Sequence, residues 1–441
     1  MKVLLNINNK RSMKMLRRFI PIILPIIGLC SMPLTSLSAE MHAKGHILRL
    51  THSGNNVARY PCLSRDGKKM LYTLESKESE GNAKAIRIMD IENCTETELF
   101  RDGTQRAPGP YGDSYLIVGS KPPVLSGNGK VAAFTLSIEA PHHLQDHFLA
   151  VVSTDGSQFW KTSFPIQNLK GVDLKSHEFK SGNWERVANF ALSADGNRIL
   201  CLVKGHLGPR RFGSASGIIC LDVASEKQIS LLAPEFTDNG WAWTSFPRRP
   251  STGGGWAFCM SEDGKTIVFG AQTSDDLNDY DLYLAEWMGR EMERLTDFHD
   301  RRFSLADISQ NGQTILFFYN GRKKQGIGTY RIGRDGSDLT FLESRSAPRI
   351  DFFGLSRDGR FVLFKHIYQG QRMDLRTGEE IVAFSDETEG YVQGITPMDF
   401  PHFPSFWKPQ IVSASGDRVL LVGPPIGKDS PEIYLLTLDR E

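Results

Sequence analysis

Leu63-Ser64-Arg65-Asp66-Gly67-Lys68 is the stretch that decides the fold, because it returns six more times. The later copies begin at Leu125-Ser126, Leu192-Ser193, Met260-Ser261, Ile308-Ser309, Leu355-Ser356 and Val412-Ser413. Three residues after each Ser stands a glycine: Gly67, Gly129, Gly196, Gly264, Gly312, Gly359 and Gly416. An Asp or Asn precedes it in every copy but the last, which has Ser415. Further on comes an apolar position, held by Tyr72, Phe134, Cys201, Phe269, Phe317, Phe364 and Leu421. Asp-Gly or Asn-Gly between two apolar runs is hairpin chemistry. The tight turn needs a positive φ, which glycine adopts with no Cβ to clash. The Ser and Asp are therefore turn formers, not catalytic groups repeated seven times.

Each copy has an apolar strand before the turn and another after it, as in Thr266-Ile267-Val268-Phe269. Two further strands with their own turn follow, as in the stretch from Tyr283-Leu284 to Leu295-Thr296. Four antiparallel strands per unit, seven times over, predict an all-β fold, a seven-bladed β-propeller. The Ser positions lie 62, 67, 68, 48, 47 and 57 residues apart. A bare blade needs about 40–45 residues, so several units carry insertions. At the C-terminus only Glu432-Ile433-Tyr434-Leu435-Leu436-Thr437 remains after Val419-Leu420-Leu421. The missing outer strand is expected at the other end, in His46-Ile47-Leu48-Arg49-Leu50-Thr51, which reads like Glu293-Arg294-Leu295-Thr296. The ring is thus expected to be closed by the N-terminal strand, which would hide its edge.

These phrases, Ser-x-Asp-Gly, Ile267-Val268-Phe269, Asp281-Leu282-Tyr283-Leu284 and Arg294-Leu295-Thr296, resemble the repeats of the TolB-type propeller family. The resemblance spans residues 46–438 and implies a propeller-only relative, because the α/β domain that TolB carries has no counterpart here. Such repeats serve scaffolds, enzymes and peptidase gating domains alike.

Before the repeats, residues 1–39 read as a signal peptide and residues 40–441 as the propeller. Lys14, Arg17 and Arg18 precede an apolar run from Phe19 to Leu29, then small residues up to Ala39. The run is too short for a comfortable span and is broken by Pro21 and Pro25, so the mature chain is expected to lack a membrane span and to be periplasmic or secreted. Charge is balanced, 52 basic against 51 acidic residues, which gives no field for nucleic acid. Five cysteines follow Cys30, with no zinc spacing. Cys201 with Cys220 is the pairing that consecutive strands would allow.

The turns between strands one and two, and between three and four, open on one face of such a ring. The connections from strand two to three and from blade to blade open on the other. The insertions, at residues 101–123, 138–145, 163–187, 204–216, 233–255 and 385–409, all belong to the second kind. Function usually sits on loops held by a rigid scaffold, so this elaborated face is the expected binding face. It carries His142, His143, His177 and His402, with His147 at an edge, together with Trp184, Trp241, Trp243 and Trp407 and the pairs Arg210-Arg211 and Arg248-Arg249. Trp and Arg often anchor binding surfaces, although long loops also need aromatics to pack on the scaffold.

A group such as His142, His143 and His147 has ligand-like spacing, and propeller lyases acting on pectin fragments use a His-rich centre. This chain departs from them in lacking a His directly before the repeat Ser. The acidic run Ser274–Asp281 lacks the Gly and terminal Glu of a calcium loop and reads as a solvated turn. No cofactor is expected from these patterns, beyond the transition metal that the histidines would hold. The leading expectation is a scaffold that binds an envelope or extracellular protein, a peptide or a glycan. The alternative is a metal-assisted lyase or hydrolase acting on a polysaccharide or peptide at the central funnel.

Overall fold

The computed structural model describes residues 45–53, 56–76, 83–105, 115–119, 121–138, 146–163, 184–206, 214–225, 227–232, 235–237, 240–242, 248–250, 258–276, 279–289, 291–299, 303–319, 328–342, 351–366, 369–384, 417–423 and 432–438. At some strand positions only the backbone is described. All these residues belong to the compact unit Met41–Glu441. They form a seven-bladed propeller of antiparallel sheets, with no helix among them.

Blade one shows the plan: Val57–Leu63, Lys69–Glu75, Lys84–Asp90 and Thr95–Arg101 pair in chain order. Blades three, five and six repeat it, while in blades two and four the first strand is split in two. The seventh sheet joins Arg418–Gly423, Glu432–Leu438 and the N-terminal Gly45–Arg49, with Ile47 opposite Leu436. The ring is closed by the strand expected to close it.

Apolar side chains alternate along each strand, so each sheet feeds two interblade cores. In blade one Met70 and Tyr72 pack towards blade seven, and Leu71 packs towards blade two. Burying each such side chain contributes about 1.5–3 kcal/mol. The same alternation corrects the cysteine expectation. Cys201 lies opposite Ile219, and Cys220 opposite Leu200. The two thiols therefore face different cores, one towards blade two and the other towards blade four. Consecutive strands bring the chains together, but the register turns the side chains apart. The five described cysteines are free thiols.

The repeat turn is built as its residues require. Ser64 Oγ donates to Asp66 Oδ1 (2.6 Å) and accepts the Lys69 amide (2.9 Å), while the Lys68 amide donates to Asp66 Oδ1 (3.0 Å). The same bonds recur at Ser126/Asn128 and Ser193/Asp195. Burial alone would raise the Asp66 carboxyl. It is outweighed by the Ser64 hydroxyl and the Lys68 amide, which hold the group below its ordinary range.

The glycine does a second job. A Cβ on Gly196 would lie 2.5 Å from Val131 of the preceding blade, and one on Gly67 2.6 Å from Arg418. Arg418 also donates to the Gly67 carbonyl (2.9 Å), so the same joint fastens blade seven to blade one.

Candidate functional site

First strands of neighbouring blades approach one another around the ring, Val57–Leu63 with Val124–Leu125 and Phe258–Met260 with Phe303–Ile308 among them. They are the inner wall. On the repeat-turn face neighbouring blades are tied together through the variable residue of Ser-x-Asp-Gly. The Arg65 amide donates to the Gly127 carbonyl (2.8 Å), the Ala194 amide to Glu262 (2.7 Å) and the Gln310 amide to Arg357 (2.6 Å). Across the ring, the Arg357 guanidinium of blade six pairs with Glu262 of blade four. Arg65 of blade one lies 3.8 Å from the other Glu262 oxygen. Arg357 also reaches the Leu63 carbonyl (3.4 Å). The missing side chain of Gly127 makes room for it, since a Cβ there would stand 3.1 Å from Arg357 Nη1. Burial lifts the Glu262 carboxyl above its ordinary range. Arg357 and then Arg65 pull it back, and Asp307 adds to the rise.

The residues expected to form the site meet the structure unevenly. His142, His143, His177, Arg210, Arg211, Trp243, His402 and Trp407 lie outside the described residues. For His147, Trp184, Trp241, Arg248 and Arg249 the backbone is described and the side chain is not. Their positions correct the expectation of loops. Trp184 opens the first strand of blade three, opposite Gly205, and Arg248 opens that of blade four, opposite Gln272. These strands run from the elaborated face to the plain one, so both residues stand at the elaborated end of the inner wall. In these two insertions residues 184–187 and 248–250 are strand because they pair into the blade ladder. Trp241 belongs to an extra hairpin, Glu235–Thr237 with Gly240–Ala242, opposite Phe236. His147 is the second residue of Asp146–Ser153, in blade two.

Several groups on the elaborated side have described side chains. In blade one, Arg59 Nε lies 2.9 Å from Glu75, whose other oxygen lies 3.8 Å from Lys84, and Tyr60 sits beside them. In blade four, Asp279, Asp281 and His299 bring ligand-type atoms within 4.8 Å of one another. The donors around Asp281 decide what this second group can hold. Asp281 is fully buried. It accepts from Arg294 (2.5 and 3.1 Å), the Thr296 hydroxyl (2.9 Å) and the Phe298 amide (2.6 Å). Arg294 Nη2 also stands 3.2 Å from His299 Nε2. A guanidinium thus occupies the place a divalent cation would take, and these residues do not fit a metal.

Blade seven repeats the arrangement with Glu432 in place of Asp281. Glu432 accepts from Arg49 (2.8 Å), the Thr51 hydroxyl (2.5 Å) and the Ser53 amide (3.0 Å). The motif therefore locks an outer strand to its neighbour.

No family model matches the chain, and no curated protein matches it in sequence. Solved propellers match its shape. An oligogalacturonate lyase in complex with manganese aligns at 12% identity and TM-score 0.53, covering 91% of this chain and 97% of that one. The oligogalacturonate lyase of Vibrio parahaemolyticus aligns at 11% and 0.52, covering 90% and 99%. The propeller domain of the Trilobed protease from Pyrococcus furiosus aligns at 12% and 0.50, covering 88% and 96%. At such identities the likeness concerns the fold alone. The last is described as having an open velcro topology. Here the terminal strands pair, and Glu432 seals them.

Sequence reasoning missed Arg65, Glu262 and Arg357. They stand at the one position of the repeat that varies freely, and only ring geometry brings them together.

Proposed function

We propose that this chain is an exported propeller of the TolB-type repeat class that holds a protein, peptide or glycan partner against its elaborated face. The observation that carries the reading is the contact on the plain face, where Arg357 and Arg65 of two blades meet Glu262 of a third across the ring. That contact narrows the plain end of the ring and leaves the elaborated end as the side for a partner. Trp184 and Arg248 stand at its inner rim, on adjacent blades. Their residue types are those that dominate binding energy at interfaces.

A pull-down from envelope extract tests the reading. Arg248→Ala/Arg249→Ala is expected to weaken capture of the reproducible partner by about tenfold. Lys68→Ala/Lys265→Ala, exposed on the plain face, is expected to leave it unchanged. The reverse pattern would overturn the proposal. Elemental analysis of protein purified without chelator addresses the rival. A stoichiometric transition metal lost on replacing His142, His143 and His147 would make the chain a metal-assisted lyase or hydrolase instead.

A further inference from the structure

Two buried polar atoms that make no hydrogen bond stand on one rung of blade one. Thr73 is only 1% exposed, and its Oγ1 has no partner. Arg59 Nε is buried as well. Glu75 lies 2.9 Å from it but off the line of the N–H, so the contact is an ion pair and not a hydrogen bond. Arg59 and Thr73 are directly opposite each other in the ladder, which sets their Cβ atoms about 5 Å apart on one face of the sheet. The register says which face. Thr73 stands two residues after Leu71 and opposite Ile86, and both of those pack towards blade two. Two residues further along the same face, Glu75 lies opposite Lys84, whose Nζ is 3.8 Å from its second oxygen. Arg59 and Lys84 thus share one carboxylate, and the three side chains keep one positive charge. Asp102, at the end of the outer strand, accepts the Lys84 (2.7 Å) and Val118 (2.5 Å) amides, and the Tyr60 hydroxyl bonds with Arg59. Buried polar groups are paired in native proteins, so two orphans on one rung need an explanation.

We propose that Arg59, Thr73 and Lys84 form a site, between blades one and two, for one carboxylate group of a ligand. One ligand oxygen accepts from Arg59 Nε and the Thr73 hydroxyl, and the other from Lys84 Nζ. The single negative charge matches the surplus positive one. A neutral ligand leaves that charge unmatched, and a phosphate dianion overshoots it beside Glu75. Glu75 stays as the shared counter-charge that keeps the two cations together. The site faces the elaborated side, because Arg59, Glu75 and Lys84 stand at that end of their strands and each is partly exposed. The proposal rests on the reading that a partner meets the elaborated face, and it names a group that partner presents.

Isothermal titration of the mature chain at low ionic strength tests the site. Hexaglutamate and glutarate are the probes, with hexaglutamine and inorganic phosphate as controls. At least one carboxylate probe is expected to bind, and neither control. Binding of hexaglutamate alone assigns the carboxylate to an acidic peptide, and binding of glutarate alone to a free organic acid. Arg59→Gln is expected to weaken binding about tenfold. Thr73→Val keeps the shape and removes the orphan hydroxyl. It is expected to weaken binding about fivefold while leaving the thermal midpoint unchanged or raised, a split that a purely structural role would not give. Lys68→Ala removes a like charge from the plain face and should leave binding unchanged. Failure of both carboxylates to bind, equal binding of a control, or binding that Thr73→Val does not alter would overturn the site. If the carboxylates fail while Arg248→Ala/Arg249→Ala still weakens the pull-down, the elaborated-face reading stands and only this site falls.

Discussion

Gly196 shows how much one residue of the repeat must satisfy. Its φ of +81° disfavours any side chain, and its Cα faces Val131 of the neighbouring blade closely enough that a Cβ would sit 2.5 Å from a methyl carbon. Gly156 has nearly the same backbone (φ +73°) and nothing within 4 Å. Gly196→Ala is therefore expected to cost the backbone strain of about 1–2 kcal/mol plus an overpacking cost of about 1–3 kcal/mol. Gly156→Ala should cost the first alone. The difference between their urea midpoints at equal m-value measures the interblade joint, and equal midpoints would refute it. The turn was legible in the sequence because Ser, Asp or Asn, and Gly are local chemistry, the same in every blade. The joint was not, because Val131, Arg418, Thr266 and Thr314 range from apolar to charged and meet the glycines only when the ring closes.

At the scale of the element, the closing strand was legible because it repeats a phrase. Arg49-Leu50-Thr51 does for Glu432 what Arg294-Leu295-Thr296 does for Asp281. Both carboxylates are fully buried, and each satisfies a guanidinium, a hydroxyl and a backbone amide. Removing the acid leaves those donors buried without an acceptor. Glu432→Ala is expected to destabilise the chain by about 3–5 kcal/mol, read as a fall in thermal midpoint. Removing residues 40–52 should be at least as damaging, since it also exposes the edge of Glu432–Leu438. A midpoint close to wild type in either case would mean that the ring is held some other way. The cysteines show where element-level reading stops. Strand adjacency is visible in sequence, but a one-residue difference in register sends a side chain to the opposite face, and Cys201 and Cys220 differ by that one step.

In the whole molecule, the tie between Arg357, Glu262 and Arg65 changes what kind of object the repeats make. A linear array of repeats is held by nearest-neighbour contacts, and unfolding can begin at any of them. Here blades one, four and six also meet at the axis, so loosening one blade breaks contacts on the far side of the ring. The partners are at the variable position of the repeat, among Gly127, Ala194 and Gln310, which is why no pattern in the chain announced them. Arg357→Met leaves the half-buried Glu262 carboxylate without its main partner and is expected to cost about 1–3 kcal/mol at neutral pH. Glu262→Met/Arg357→Met should recover most of that loss, since a packed apolar pair replaces a half-buried ionic one. The sign with pH follows from the raised Glu262 carboxyl. Losing Arg357 raises it further, so the folded state binds a proton that the unfolded state gives up near pH 4.3. The loss in the single variant is then complete above the folded pKa and fades as the pH falls towards that unfolded value. Urea titrations of wild type, both single variants and the double variant, at neutral pH and near pH 4, read the coupling directly. Additive effects that do not change with pH would show that the three charges merely lie near one another on the axis and hold nothing together.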